Sequence, residues 1–269
     1  MNPERQVALF GLNKTKRRTI SAAAEKEITL TRDEEYVLES EDGVREVGRL
    51  LKRGAESENS FPGWKVLRQA TEEDLSKKEA NDSEMEETVE KAQSLVDKQG
   101  LPMNIIGGEY SLERAQLRFY FKAPHRVDFR GLLKELARDF STRIELEQVG
   151  PREAAAILGG IGRCGYEFCC RRFLDDPGPI PMELASDQEL SLSPERLTGG
   201  CGRLLCCLEY EHDDYVAKLA QMPDIGAKVS CPEGTCEVID HNVQKNTVRL
   251  QTEEGEELEL KKEEIRKLE

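Results

Sequence analysis

The chain has 269 residues, 38% of them hydrophobic and 34% charged, with a formal net charge of −14 at pH 7. That length suits one large domain or two to three small ones, with a core that needs no covalent staples. So acidic a chain excludes binding to nucleic acid or an anionic membrane through its overall field, so any RNA contact needs a local basic patch. The N-terminal segment places a short apolar piece, residues 7–10, before the basic Lys14, Lys16, Arg17 and Arg18. This is the reverse of a secretory signal, and no stretch approaches the length of a membrane span. The expected location is the cytoplasm, without membrane insertion. The four basic residues are a candidate RNA patch, although a solvated loop is the plainer reading.

Residues 1–60 read as a small β-rich module. Its strands are expected at 7–12, 28–31, 36–39 and 44–51, the last two flanking a Ser40–Glu41–Asp42–Gly43 turn. Residues 54–65 read as a loop. Residues 71–99 read as one helix, opened by a capping box from Thr71 to Asp74 and carrying Met85, Val89, Ala92 and Val96 at helical spacing. A solvated helix with one buried stripe is favoured there over a partner-binding one.

A ββαβ unit follows. Strands are expected at 103–106 and 117–121. Asp128 then caps a helix in which Phe129, Leu132, Leu133, Leu136, Ala137 and Phe140 share a face. A last strand at 143–149 turns Ile144 and Leu146 inward. His125, Arg126 and Asp128 at the strand-to-helix turn read as capping and solvation before function. Residues 61–222 as a whole read as an α+β core with a cysteine-rich helical segment. Residues 223–269 read as a small barrel-like β-module of SH3 type, with strands at 226–230, 236–240, 247–251 and 257–260 and turns at Pro232–Glu233–Gly234 and Glu254–Gly255. The fold class expected is α+β.

Six of the eight cysteines fall between Cys164 and Cys207. Residues 162–170 and 199–207 both read G-x-C-G-x-x-x-C-C, and Cys164, Cys169 and Cys170 precede Cys201, Cys206 and Cys207 by one constant offset. Reduced thiols in a soft-metal or redox centre are the better reading than disulfide bracing. Thiolates select zinc, copper(I) or iron–sulfur clusters, and Arg163, Arg171, Arg172 and Arg203 would offset their charge. Cys164, Cys169, Cys201 and Cys206 are candidates for a tetrahedral site. Their C-x4-C spacing lies at the wide edge for structural zinc and also occurs in iron–sulfur proteins, so it does not choose between them. If the second motif opens a helix through Leu205, Leu208, His212, Tyr215 and Leu219, one cysteine of the adjacent pair faces the core. Cys231 and Cys236 read as an incidental pair that could face each other across a hairpin. No phosphate loop, nucleophile elbow or H-E-x-x-H occurs, and His125, His212 and His241 are scattered. Cys169 has no evident catalytic partner, so a thiol enzyme is the least favoured reading and a non-catalytic protein is expected.

Over residues 127–226 the chain resembles the RicT (YaaT) family, the bacterial members of the PSP-type C-terminal domain superfamily. The resemblance lies in Arg126–Val127–Asp128–Phe129–Arg130, Thr142–Arg143–Ile144–Glu145–Leu146, Gly159–Gly160–Ile161–Gly162, both cysteine motifs, residues 190–194 and Pro223–Asp224–Ile225–Gly226. It implies a regulatory adaptor acting with two small partners, RicA and RicF, in a complex that carries four-iron, four-sulfur clusters. It also implies assistance to endoribonuclease Y in RNA processing, and influence on development. Cluster ligands would come from Cys164, Cys169, Cys170, Cys201, Cys206 and Cys207. A zinc-stabilised interaction module without redox function is the alternative. The chain departs from the family at Arg163 and Tyr166–Glu167–Phe168 in the first motif, in Cys231 and Cys236, and in the charged helix over 71–98.

Overall fold

The structure is a computed structural model that describes residues 5–12, 19–25, 27–54, 63–174, 178–188, 190 and 193–267. The chain divides into two compact units, one of residues 1–176 with 199–203, the other of 177–198 with 204–269. It is α+β, as its sequence predicts. Lys14, Lys16, Arg17 and Arg18 lie outside the described residues.

The first unit opens on a closed five-stranded barrel. Its strands are β1 (Arg5–Gly11), β2 (Thr19–Glu25), β3 (Glu35–Ser40), β4 (Arg45–Arg53) and β5 (Trp64–Gln69), in the order β1-β2-β5-β3-β4. The hairpin between β3 and β4 forms at the expected turn. Gly43 takes φ 77°, its N–H donates to Ser40 O at 3.0 Å, and Ser40 N–H donates to Val44 O at 2.9 Å. Two expectations fail here. Residues 28–31 form no strand, because the side chain of Tyr36 takes the place of a ladder: Thr31 N–H donates to Tyr36 Oη at 2.7 Å and Tyr36 Oη donates to Thr29 O at 3.1 Å. The strand there is β2 instead, whose inward residues are the small Ala22 and Ala24. The loop read over 54–65 ends early, since β5 begins at Trp64 and pairs with β3. Phe10, Tyr36, Leu38 and Leu50 fill the interior, each at most 1% exposed.

The segment read as one helix is two, α1 (Glu72–Ser83) and α2 (Met85–Lys98). The predicted capping box is present: Thr71 N–H donates to Asp74 Oδ2 at 2.8 Å and Asp74 N–H to Thr71 Oγ1 at 3.3 Å. The break at Glu84 follows Ser83, whose hydroxyl donates to Ala80 O at 2.8 Å and competes for that carbonyl.

Next come β6 (Asn104–Tyr110), β7 (Gln116–Lys122), α3 (Arg130–Phe140) and β8 (Arg143–Gln148). The sheet order is β6-β7-β8, with β7 and β8 parallel across α3. This is the predicted ββαβ unit. Leu117, Phe119 and Phe121 of β7 pack with Ala92 and Val96 of α2 and Leu132 and Leu136 of α3. Arg118 and Tyr120 alternate to the opposite face, so the central strand is buried on both sides. There the Arg118 guanidinium meets Glu109 at 2.8 Å and Glu145 at 2.5 Å. Phe129, not Asp128, is the N-cap residue of α3, and it makes no side-chain cap. Asp128 bonds Arg130 instead, by 2.7 Å to Nη2 and 3.2 Å from the backbone N–H, which holds its carboxyl down at about 2. α4 (Pro151–Leu158) and α5 (Cys169–Arg172) complete this unit.

The second unit holds short helices α6 (Glu183–Asp187), α7 (Pro194–Leu197), α8 (Cys206–Tyr210) and α9 (His212–Leu219). The continuous helix expected from Leu205 to Leu219 is interrupted at Glu211. Ala185, Leu197 and Leu208 form its small core, and Gln188 Nε2 donates to Leu208 O at 2.6 Å beneath it. Strands β9 (Lys228–Cys231), β10 (Gly234–Asn242), β11 (Thr247–Thr252), β12 (Glu257–Lys261) and β13 (Arg266–Lys267) make one antiparallel sheet in the order β12-β11-β10-β9-β13. No described helix is long and apolar enough to cross a membrane.

Candidate functional site

The first cysteine motif begins where α4 must stop. Gly159 and Gly160 take φ 75° and 146°, conformations that end a helix and that a side chain would strain. The chain then folds back in a three-residue hairpin, Arg163–Cys164–Gly165. Gly162 N–H donates to Tyr166 O at 2.7 Å, Gly165 N–H donates to Gly162 O at 2.9 Å, and Gly165 takes φ 83°. A left-handed third residue is what such a loop requires, hence glycine directly after the cysteine. Phe168 N–H donates to Gly160 O at 3.0 Å and launches α5 at Cys169. Cys164 therefore sits exposed at a hairpin tip, and Cys169 and Cys170 open a helical turn.

The second motif repeats these bonds one for one. Gly199 N–H donates to Arg203 O at 2.8 Å, Gly202 N–H to Gly199 O at 2.9 Å, and Leu205 N–H to Leu197 O at 2.9 Å. Gly202 takes φ 79°, and α8 opens at Cys206 and Cys207. Isolated antiparallel bridges close both loops, Ile161 to Glu167 and Thr198 to Leu204. The sequence repeat is thus a repeat of backbone geometry, with one thiol at the tip and two at the start of a helical turn each time.

Phe168 joins the loops within the first unit. A Cβ on Gly160 would stand 2.8 Å from its ring, and one on Gly200 would stand 2.7 Å from it. The aromatic ring therefore needs bare backbone on both sides. Arg171 is not a spare charge beside the thiols: it donates to Ala156 O and Ile157 O at 3.2 and 2.8 Å and pairs with Glu167 at 2.9 Å, fastening α5 to the end of α4. Arg152, 7% exposed, lies under the loop, and its carbonyl oxygen is 3.8 Å from Cys170 Sγ. Nothing in the sequence singles out Arg152, which with Glu153 is one of two charged residues in an alanine-rich helix. Arg172 lies 5.9 Å from the centroid of the Tyr166 ring.

Cys164, Cys169, Cys170 and Cys201 belong to the first unit, and Cys206 and Cys207 to the second. Among the described residues, no three His, Cys, Asp or Glu side chains converge as a metal cage. The donor chemistry nevertheless fits a soft, anionic centre. Six thiols stand outside any disulfide, and guanidinium groups outnumber carboxylates around the first loop.

Cys231 and Cys236 depart from the expectation of reduced thiols. The β9–β10 hairpin brings their Cα atoms to 6.4 Å, within disulfide reach, and the structure bonds them. Both are core residues of the C-terminal sheet, 8% and 2% exposed. Of the histidines, His241 Nε2 lies 2.6 Å from Pro223 O and His212 Nε2 lies 3.8 Å from Asp187 Oδ2.

The family description "PSP1 C-terminal conserved region" matches residues 64–149, and "PSP1-like protein, third domain" matches residues 179–222. The first thiol hairpin lies between the two matches. The chain is similar to the stage 0 sporulation protein YaaT of Bacillus subtilis, 38% identical over 218 residues, which is 80% of this chain and 79% of that protein. It is also 33% identical over 103 residues to an uncharacterized protein of Schizosaccharomyces pombe, covering 36% of this chain and 13% of the yeast protein. No solved structure matches. With a relative of this identity aligned over most of both chains and two PSP1 descriptions matched in order, the chain belongs to the YaaT family of PSP1-domain proteins.

Proposed function

We propose that this protein is a cytoplasmic, non-catalytic regulatory adaptor. In this reading its duplicated thiol hairpins hold a four-iron, four-sulfur cluster together with RicA-like and RicF-like partners, and the assembly modulates RNA processing by endoribonuclease Y. A role in developmental regulation is consistent with the similarity to a stage 0 sporulation protein. The observation that carries the reading is the exact bond-for-bond repetition of a cysteine-tipped hairpin followed by a cysteine-opened helical turn.

Cys164 and Cys201 would be the tip ligands, and Cys169 and Cys206 the ligands at the helix starts. Cys170 and Cys207 are their adjacent reserves, of which Cys170 points its sulfur at the Arg152 carbonyl. Such a group, when bound, supplies reversible one-electron redox chemistry or a labile structural brace. The chain's own part is to present thiolates from rigid glycine-pinned turns, with Arg163, Arg172 and Arg203 offsetting their charge.

Protein purified without oxygen, alone and with co-expressed RicA-like and RicF-like proteins, tests this. The expected result is bound iron and sulfide with cluster charge-transfer absorbance. A colourless, iron-free complex in which all six thiols titrate contradicts it. Zinc near one per chain with unfolding on chelation favours the zinc-stabilised module instead.

A further inference from the structure

Among the described residues of the first unit, the large hydrophobic side chains left exposed are Leu158, Ile161, Tyr166 and Phe173, at 63%, 68%, 66% and 45%. All lie between the last residue of α4 and the turn after α5, around the first thiol hairpin. The described residues of the barrel and the ββαβ sheet leave none. The bridge from Ile161 to Glu167 and the fastening of α5 onto α4 by Arg171 bring them onto one small structure.

The charge also reverses here. Residues 150–174 with 199–203 carry Arg152, Arg163, Arg171, Arg172 and Arg203 against Glu153 and Glu167, with Asp175 and Asp176 next in sequence; Arg152 is buried and Arg171 pairs with Glu167, which leaves Arg163, Arg172 and Arg203 as the exposed guanidinium groups. Arg172 shares the surface of Tyr166. An apolar patch with a basic rim is complementary to apolar side chains flanked by acidic ones. A two-fold contact of this patch with its own copy does not fit, because it would set arginine against arginine. Single-stranded RNA would use Tyr166 and the arginines, but Leu158 and Ile161 are aliphatic and offer bases no stacking face.

We infer that the surface of Leu158, Ile161, Tyr166 and Phe173, rimmed by Arg163 and Arg172, is the docking face for an acidic, amphipathic segment of a partner protein, seated beside Cys164. This rests on the adaptor reading, because it names where the adaptor takes hold of a partner, but it requires no bound cluster.

The test titrates full-length protein with three labelled probes: a helical peptide bearing leucines at i, i+3, i+4 and i+7 among glutamates, the same peptide with lysines for glutamates, and a uridine oligonucleotide. The acidic peptide is expected to bind saturably and the other two far more weakly. Ile161→Ser with Tyr166→Ser, and separately Arg163→Glu with Arg172→Glu, are expected to weaken binding at least about tenfold, with Glu41→Gln on the barrel turn as the neutral control. The charge pair replaces exposed residues only, so it tests the idea even where the apolar pair misfolds. Absence of peptide binding, equal binding of both peptides, or binding unchanged in the charge pair overturns the inference. So does a loss confined to the oligonucleotide, or self-association abolished by the same variants. Repeating the titration with all six motif cysteines changed to serine separates the two readings. Retained peptide binding without iron supports docking whatever becomes of the cluster, whereas iron without peptide binding defeats docking alone.

Discussion

Gly162, Gly165, Gly199 and Gly202 turn a cysteine spacing into a shape. Each pair closes a hairpin whose third residue is left-handed; the repeat by itself shows only that glycines flank the first cysteine and permit a tight turn. The wedge of Phe168 between Gly160 and Gly200 is not readable, because it is a tertiary contact between residues with no shared pattern. It makes a sharp prediction. Gly200→Ala should destabilise the protein by about 1–3 kcal/mol through overpacking, and Phe168→Leu should recover most of that loss. Denaturant melts of the two single variants and the double variant measure the coupling, and simple additivity would remove the wedge from the account. Asp74 belongs to the same scale. It accepts from Arg68 at 2.5 and 3.1 Å and from Thr71 N–H at 2.8 Å, and the Arg68 guanidinium holds its carboxyl well below the usual range. A folded-state pKa lowered in this way gives stability present above the unfolded value, about 3.9, and lost as pH falls through the folded one. Asp74→Asn should therefore cost about 1–3 kcal/mol at pH 7, and the gap from wild type should shrink as pH is lowered below about 4. A gap independent of pH contradicts this.

At the scale of elements, strong periodicity was legible and weak or borrowed periodicity was not. The helix carrying Leu132 and Leu136 and the strands beside it follow from spacing. β2 hides because its inward residues are alanines, which carry little strand signal. Residues 28–31 mislead because the Tyr36 side chain, projecting from β3, satisfies their backbone in place of a ladder partner. The break between α1 and α2 falls at Glu84, just after the Ser83 hydroxyl that bonds Ala80 O, and no Gly or Pro marks it in the sequence. β7 shows what pattern reading leaves out: its run of apolar residues reads as core, but the buried Arg118 within it depends on Glu109 and Glu145 from neighbouring strands. Arg118→Met should destabilise by about 3–5 kcal/mol, since the largely buried Glu109 loses its guanidinium and keeps the neutral Tyr120 hydroxyl at 2.6 Å, and adding Glu109→Gln should restore part of it. Equilibrium denaturation decides, and a neutral Arg118→Met would show that the cluster is not structural.

For the whole molecule, the α+β class and the small β-modules at either end were legible from composition and turns. The closure of the N-terminal barrel was not, because it depends on the parallel contact of β2 with β5, which sequence pairing rules do not foresee. The cysteine repeat spans both compact units, so the thiols are a feature of the full chain rather than of one domain. That gives the central proposal, that the thiols of the duplicated hairpins are ligands of a soft centre, a direct test. The measurement is the iron and sulfide content of anaerobically prepared full-length protein, with its co-expressed partners, for wild type, Cys164→Ser and Cys201→Ser. The account predicts that either single change lowers the content several-fold and that the two losses are similar. Unchanged metal content in both variants, with the fold intact by circular dichroism, would contradict it.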